Sequence, residues 1–210
     1  ELAQRFYQEK FLPLPLTYQV NDGSININLK ADRESHNLPL KGMILGSLNQ
    51  SFKLDPILFD VWVEILQKNK ATYLWLLDEG DDMKKNILSY IDNRIDKERI
   101  IFAERVDRET HLSRIRNIDI ALDTRIYNGH TTSIEMIQSG IPLITLEGNH
   151  FASRVSSSLL HALGIEELIT KNIDDYKDIV SNLINDDNTL NSLKSKIHHQ
   201  LSESKLMDTN

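Results

Sequence analysis

The feature that most constrains what this chain can fold into is an alternation of short apolar runs with amphipathic stretches, repeated five times from Lys41 onward. The apolar runs Met43–Ser47, Thr72–Leu77, Ile100–Ala103, 118–122, 142–146 and a short 167–169 have strand length and little internal polarity. The stretches between them carry helical spacing. Leu58, Trp62, Ile65 and Leu66 share one face over Pro56–Lys68, and Met83, Ile87 and Ile91 follow at four-residue intervals over 81–91. Further helices are predicted over 108–116, 131–139, 152–163, 173–183 and 188–203. Apolar strands alternating with helices define a parallel sheet, because each crossover lays its helix on one face. The predicted fold is therefore α/β, a doubly wound parallel sheet of about six strands.

Punctuation residues support these boundaries. Asp55 and Pro56 supply an N-cap carboxylate and a first-position proline, Gly140 and Pro142 separate a helix from the next strand, and Gly164 closes another helix. Residues 1–40 lack the alternation. Pro13, Pro15 and Pro39 restrict the backbone, Asn21-Asp22-Gly23-Ser24 is a turn signal, and 31–37 is charged without an apolar period. This segment is expected to be a linker or the tail of a preceding domain, with one Rossmann-like unit over 41–210. There is no internal repeat and no low-complexity tract. The chain starts at Glu1 without a leader and stops in a polar run, so it is expected to be part of a longer protein.

Composition narrows the function. With 31 acidic and 24 Lys+Arg side chains the net charge is −7, which opposes a nucleic acid backbone as the main partner while leaving room for a local basic pocket. At 40% hydrophobic and 26% charged residues the chain has the balance of an ordinary globular domain. The absence of cysteine excludes a disulfide scaffold, thiolate zinc sites, iron–sulfur clusters and a cysteine nucleophile, and makes a cytoplasmic setting the expectation. No run of about 18 apolar residues is present, so no membrane-spanning helix is predicted.

In an open α/β sheet, ligands sit beyond the carboxyl ends of the strands. The loop after the first strand, Gly46-Ser47-Leu48-Asn49-Gln50-Ser51-Phe52-Lys53, offers amides and a lysine to a phosphate; it is neither GxGxxG nor a Walker loop, and a plain polar connection fits it equally. The loop after the fourth strand, Asp123-Thr124-Arg125-Ile126-Tyr127-Asn128-Gly129-His130-Thr131-Thr132, makes a tight turn at Asn128-Gly129 and then opens a helix. Free N–H groups, the dipole and two hydroxyls at that opening would seat a pyrophosphate, with Glu135 one turn in for ribose hydroxyls; a threonine N-cap with an acidic first turn is the alternative. Arg108, His111 and Arg114 recur at three-residue intervals on the helix after the third strand, as a base-stacking face or as solvated charge. The acidic run Asp78-Glu79-Gly80-Asp81-Asp82 reads as a loop and helix start rather than a cation site, and His198-His199 lack metal-ligand spacing.

Taken in order, Gly46-Ser47-Leu48-Asn49-Gln50-Ser51-Phe52-Lys53-Leu54-Asp55-Pro56, Trp75-Leu76-Leu77, Arg99-Ile100-Ile101-Phe102, Leu122-Asp123-Thr124, Asn128-Gly129-His130-Thr131-Thr132, Gly140-Ile141-Pro142 and Ala152-Ser153-Arg154-Val155 resemble the C-terminal catalytic half of the O-GlcNAc transferase and SPINDLY-type glycosyltransferases. The resemblance runs from about Lys41 to the end, with a fainter match at Glu9-Lys10-Phe11-Leu12-Pro13.

That resemblance implies a GT-B architecture of two facing Rossmann-like halves, this chain carrying the donor-binding one. It also implies inverting transfer of a sugar from a UDP-sugar, usually UDP-GlcNAc, to Ser or Thr hydroxyls of a protein, with no cofactor and no required metal. Gln50 and Lys53, with Asn49 beside them in the same loop, match the diphosphate-holding positions. His130, Thr131 and Thr132 match the cradle at the helix start, Arg108, His111 and Arg114 the uracil surround, and Glu135 the ribose contact. Lys53 is the expected electrophilic catalyst, and Arg154 is expected to be structural. Glu135 and Arg108 depart from the Asp and Lys usual in the animal enzymes. The partners implied are an acceptor protein, a facing N-terminal half and a tetratricopeptide region. Alternatives within the resemblance are an N-glucosyltransferase, an O-fucosyltransferase or a UDP-GlcNAc epimerase; outside enzymes, a nucleotide-binding interaction module.

Overall fold

The computed structural model describes residues 3–12, 14–19, 21 and 32–207; Pro13, Ala31 and residues 22–24 of the turn signal lie outside the described residues. Six parallel strands, β1 (Met43–Ser47), β2 (Thr72–Leu77), β3 (Ile100–Ala103), β4 (Ile120–Leu122), β5 (Leu143–Leu146) and β6 (Ile169–Thr170), stand in the order β3-β2-β1-β4-β5-β6. The helices are α1 (Pro56–Lys68), α2 (Asp81–Tyr90), α3 (Arg108–Arg114), α4 (Thr131–Gln138), α5 (Val155–Leu163), α6 (Ile173–Asn185) and α7 (Asp187–Glu203). The chain builds outward from β1 through β2 and β3, then returns to place β4 on the other side of β1. The strand order thus reverses between β1 and β4, and the loops leaving those two strands flank the crevice where such folds bind ligands.

The strands are apolar along their length because both faces are covered. Ile44, Leu45, Leu74, Ile120 and Ile144 are wholly buried. Trp62 of α1 and Tyr176 of α6 are buried together, the indole N–H donating to the phenol oxygen at 3.0 Å, so the polar atoms of two large rings satisfy each other. Asp55 caps α1 as expected, accepting from Leu58 N at 3.3 Å with Pro56 at the first helical position. Gly164 ends α5 at φ +68°, a left-handed position that a side chain would strain.

Local turns shift several predicted boundaries. Strand β4 begins at Ile120, since Ile118 still bonds back to Ile115 and closes the 3-10 turn Ile115–Asn117 that also ends α3 early. Strand β6 sits at Ile169–Thr170, because Glu166–Leu168 tighten into a 3-10 turn that buries Leu168 and leaves both glutamates exposed. Helix α5 starts at Val155, after a separate 3-10 turn Phe151–Ser153 and the non-helical Arg154, which pairs with Glu147 at 3.2 Å.

Parts of the segment expected to be a linker are tied to the sheet domain. Arg33 donates to the carbonyls of Pro39 and Gly42 and pairs with Asp119 at 2.8 Å, and that carboxylate also accepts the Ile44 N–H at 2.8 Å. Leu38 joins the core.

Candidate functional site

The two loops at the switch point are held by different devices. Buried Asp123, at the end of β4, accepts from Thr124 N at 2.9 Å, Gly129 N at 2.7 Å and Thr145 Oγ1 at 2.8 Å. One carboxylate therefore folds residues 123–129 back on themselves, and its burial pushes its own pKa up. Asn128 completes the turn: its Nδ2 donates to Thr124 O at 2.7 Å, and its backbone N–H donates to Ala152 O at 2.8 Å. Arg125 ties the loop to α1 through Asp55 at 2.8 Å.

The turn delivers the chain to α4, whose N-cap is His130, with no side-chain cap on the first-turn N–H groups. The threonine-capped alternative is thus not what forms. An uncapped helix start with Thr131 exposed and Thr132 half-buried presents donors and the positive end of the dipole to an anion.

The β1 loop meets this helix start. Lys53 Nζ donates to Asn128 O at 2.9 Å and lies 4.2 Å from the Tyr127 ring centroid. Burial lowers the Lys53 pKa, with Asp123 acting in the opposite direction. His130 is likewise held below its ordinary range, first by burial and then by the Lys53 charge. Gln50 is exposed at the head of the 3-10 turn Ser51–Lys53, while Asn49 is buried. Three buried polar atoms on these two loops, Ser47 Oγ, Asn49 Oδ1 and His130 Nε2, have no hydrogen-bond partner among the described residues. Buried polar atoms in folded proteins are mostly hydrogen-bonded, so these three are candidates for bonding to a ligand or to water.

The third group assembles across α3 and α4. Glu135, nearly buried, sits 3.5 Å from His111 Nε2 and 3.7 Å from Arg108 Nε. Arg114 does not share the open face with them. Six residues along a helix turn its side chain about 120° away from Arg108, and it is buried, bonded to the Glu104 carbonyl and 3.2 Å from His111 Nδ1. Arg114 backs the imidazole while Arg108 is exposed at the rim.

Sequence reasoning passed over Glu79. It accepts from both Ser51 N and Ser51 Oγ at 2.6 Å and pairs with Arg105 at 2.6 Å, so the loop after β2 holds the turn that carries Lys53. Burial alone would raise its carboxyl, but Ser51 and Arg105 outweigh it and the pKa is lowered. Asp78 pairs with Lys84 at 2.6 Å, so both of these carboxylates have protein partners. Among the described residues no group of three or more His, Asp or Glu side chains is placed to share a metal ion.

A doubly wound parallel sheet with an uncapped helix start beside its switch point defines a Rossmann-like α/β unit. The chain belongs to glycosyl transferase family 41, whose family model matches residues 21–210. It is 33% identical over 184 residues to the UDP-N-acetylglucosamine–peptide N-acetylglucosaminyltransferase of Caenorhabditis elegans, covering 87% of this chain and 16% of that protein. It is 29% identical to the probable UDP-N-acetylglucosamine–peptide N-acetylglucosaminyltransferase SEC of Arabidopsis thaliana, covering 97% of this chain and 22% of that protein. Among solved structures, a mutant of the Thermobaculum terrenum O-GlcNAc transferase superposes over the whole chain with a TM-score of 0.82 at 26% identity, covering 39% of its own length. The C-terminal domain of a group 1 glycosyl transferase from Francisella tularensis shares the fold, with a TM-score of 0.64 at 14% identity over 87% of this chain and 96% of that one. The architecture is that of the C-terminal half of a GT-B glycosyltransferase. The chain spans about a fifth of the length of these two curated relatives.

Proposed function

We propose that this chain is the donor-binding half of an inverting glycosyltransferase that moves a sugar from a UDP-sugar, UDP-GlcNAc foremost, to Ser or Thr hydroxyls of an acceptor protein. The observation that carries the reading is the meeting of the Lys53 ammonium with the uncapped start of α4, through Lys53 Nζ on Asn128 O at 2.9 Å. A UDP leaving group gains negative charge as its glycosidic bond breaks. A partly desolvated ammonium and a helix N-terminus, fixed in advance, stabilise that charge without a metal. Asn49 and Gln50 then flank the diphosphate, and His130, Thr131 and Thr132 cradle it. Glu135 meets the ribose. His111 and Arg108 face the base, with Arg114 holding His111 from behind. The enzyme names of the relatives support the sugar and the protein acceptor.

On this reading acceptor contacts and the general base come from a facing half, so the chain alone binds nucleotide without turnover. A tetratricopeptide partner region and a cytoplasmic setting belong to the same proposal. Among the described residues no helix is long and apolar enough to cross a membrane.

The test is Lys53→Met in the longer protein. We expect kcat to fall by about 100-fold or more while UDP-sugar affinity falls by less than about ten-fold, the pattern of a group acting on transition-state charge. Equal losses in both would remove Lys53 from the leaving-group role.

A further inference from the structure

Residues 14–19 precede the sheet domain in sequence, yet they reach the site. The Tyr18 hydroxyl is hydrogen-bonded to His130 Nδ1. The Tyr18 ring stands edge-on to His130, centroids 5.5 Å apart at 74°, and edge-on to Phe151, 4.9 Å apart at 70°. Ser158 of α5 donates to Leu16 O at 3.5 Å, a second tie between this segment and the domain. The other ring nitrogen, His130 Nε2, is buried with no hydrogen-bond partner among the described residues.

The direction of the Tyr18 bond follows from the chemistry of its two partners. A phenol is a stronger acid than a neutral imidazole N–H, and an imidazole nitrogen is a stronger base than a phenol oxygen, so the hydroxyl donates and Nδ1 accepts. The hydrogen bond at one ring nitrogen decides which nitrogen carries the proton. With Nδ1 occupied as acceptor, the proton sits on Nε2.

We propose that Tyr18 is a positioning residue for His130. It holds the imidazole in the Nε2–H tautomer, so that this N–H is presented as an uncharged donor to an anionic oxygen, a diphosphate oxygen, seated at the start of α4. The proposal rests on the nucleotide-sugar reading of the site. It divides the work between two groups: Lys53 supplies charge and His130 supplies a directed hydrogen bond. A second cation beside Lys53 would raise the electrostatic cost of the empty site, whereas a neutral donor does not. It also makes the segment before the sheet domain part of the donor site, through one hydroxyl.

The test uses the chain as it stands, with nitrogen-15 in its histidines. Long-range proton–nitrogen spectra assign the tautomer of His130, and calorimetry gives the affinity for UDP. In the native chain Nε2 is expected to be pyrrole-like and Nδ1 pyridine-like. Tyr18→Phe keeps the ring contacts and removes the hydroxyl; it is expected to give a mixture of tautomers and UDP binding about 3- to 10-fold weaker, the range of one hydrogen bond. A native ring protonated on Nδ1 would overturn the proposal, as would a Tyr18→Phe chain in which either readout is unchanged. If the native chain binds no UDP at all, the nucleotide reading fails, while the ring spectrum still decides whether Tyr18 sets the tautomer.

Discussion

At the scale of single residues, the candidates legible in sequence are those whose chemistry is written in their own loop, and the contacts that were not legible are those whose partners lie far along the chain. Lys53 stood out as the lysine of the loop after β1, and His130 by following the Asn128-Gly129 turn. Glu79 did not, because its partner Ser51 is 28 positions away and nothing in an acidic loop says which turn it will brace. Arg114 was legible as a cation but not as a buried one; its six-residue offset from Arg108 already turned it off the shared face. Burial lowers the Lys53 pKa, so the folded chain gives up this proton at a lower pH than the unfolded chain, and between that lowered value and 10.5 stability rises with pH. Bound diphosphate needs the proton kept, so UDP affinity should be full below the lowered value and fall as pH rises through it. Lys53→Arg should flatten that fall in a calorimetric pH series, because guanidinium stays charged. For Asp123→Asn, an amide cannot accept all three donors that the carboxylate now takes, and urea unfolding should show a loss of about 2–3 kcal/mol.

Elements were legible in kind and less so in extent. The strands that satisfied the alternation rule reappear, Met43–Ser47 and Thr72–Leu77 with their predicted ends, because continuous apolar runs leave little freedom in where pairing stops. Ends drifted where a 3-10 turn intervened, as before Ile120 and Ile169, since such turns are set by local backbone bonds that an apolar period does not report. The two site loops work as elements only because other elements brace them. Glu79→Ala removes an N-cap-like acceptor from the Ser51–Lys53 turn; a loss of about 1 kcal/mol in stability is expected, with weaker UDP binding because Lys53 is no longer fixed. Gly129→Ala is the sharper test of the turn. A methyl there would overlap Ser133 Oγ and lie 3.1 Å from Ser133 N and 3.2 Å from Asn49 Oδ1, so the Ser133 hydroxyl must rotate away from Ser156 and the Asn49 side chain must give. The expected result is a chain that still folds by circular dichroism and binds UDP more weakly in a titration.

The whole molecule owes its site to strand order, and order was the part the sequence could not spell out. Alternation implies parallel strands and predicts where their carboxyl-end loops fall, but only pairing shows that β1 and β4 are neighbours and that their loops therefore face one crevice. The family motifs point to the same two loops by resemblance, and the structure brings those loops together: a buried aspartate folds one, a glutamate anchors the other, and they meet at Lys53 and Asn128. The account's central claim is that this meeting place is a UDP site. Calorimetric titration of the chain with UDP, UDP-GlcNAc and GDP, repeated on Lys53→Ala and His130→Ala, tests it most directly. We expect UDP and UDP-GlcNAc to bind in preference to GDP and each substitution to weaken that binding. Binding of UDP that neither substitution changes, or a preference for GDP, would contradict it.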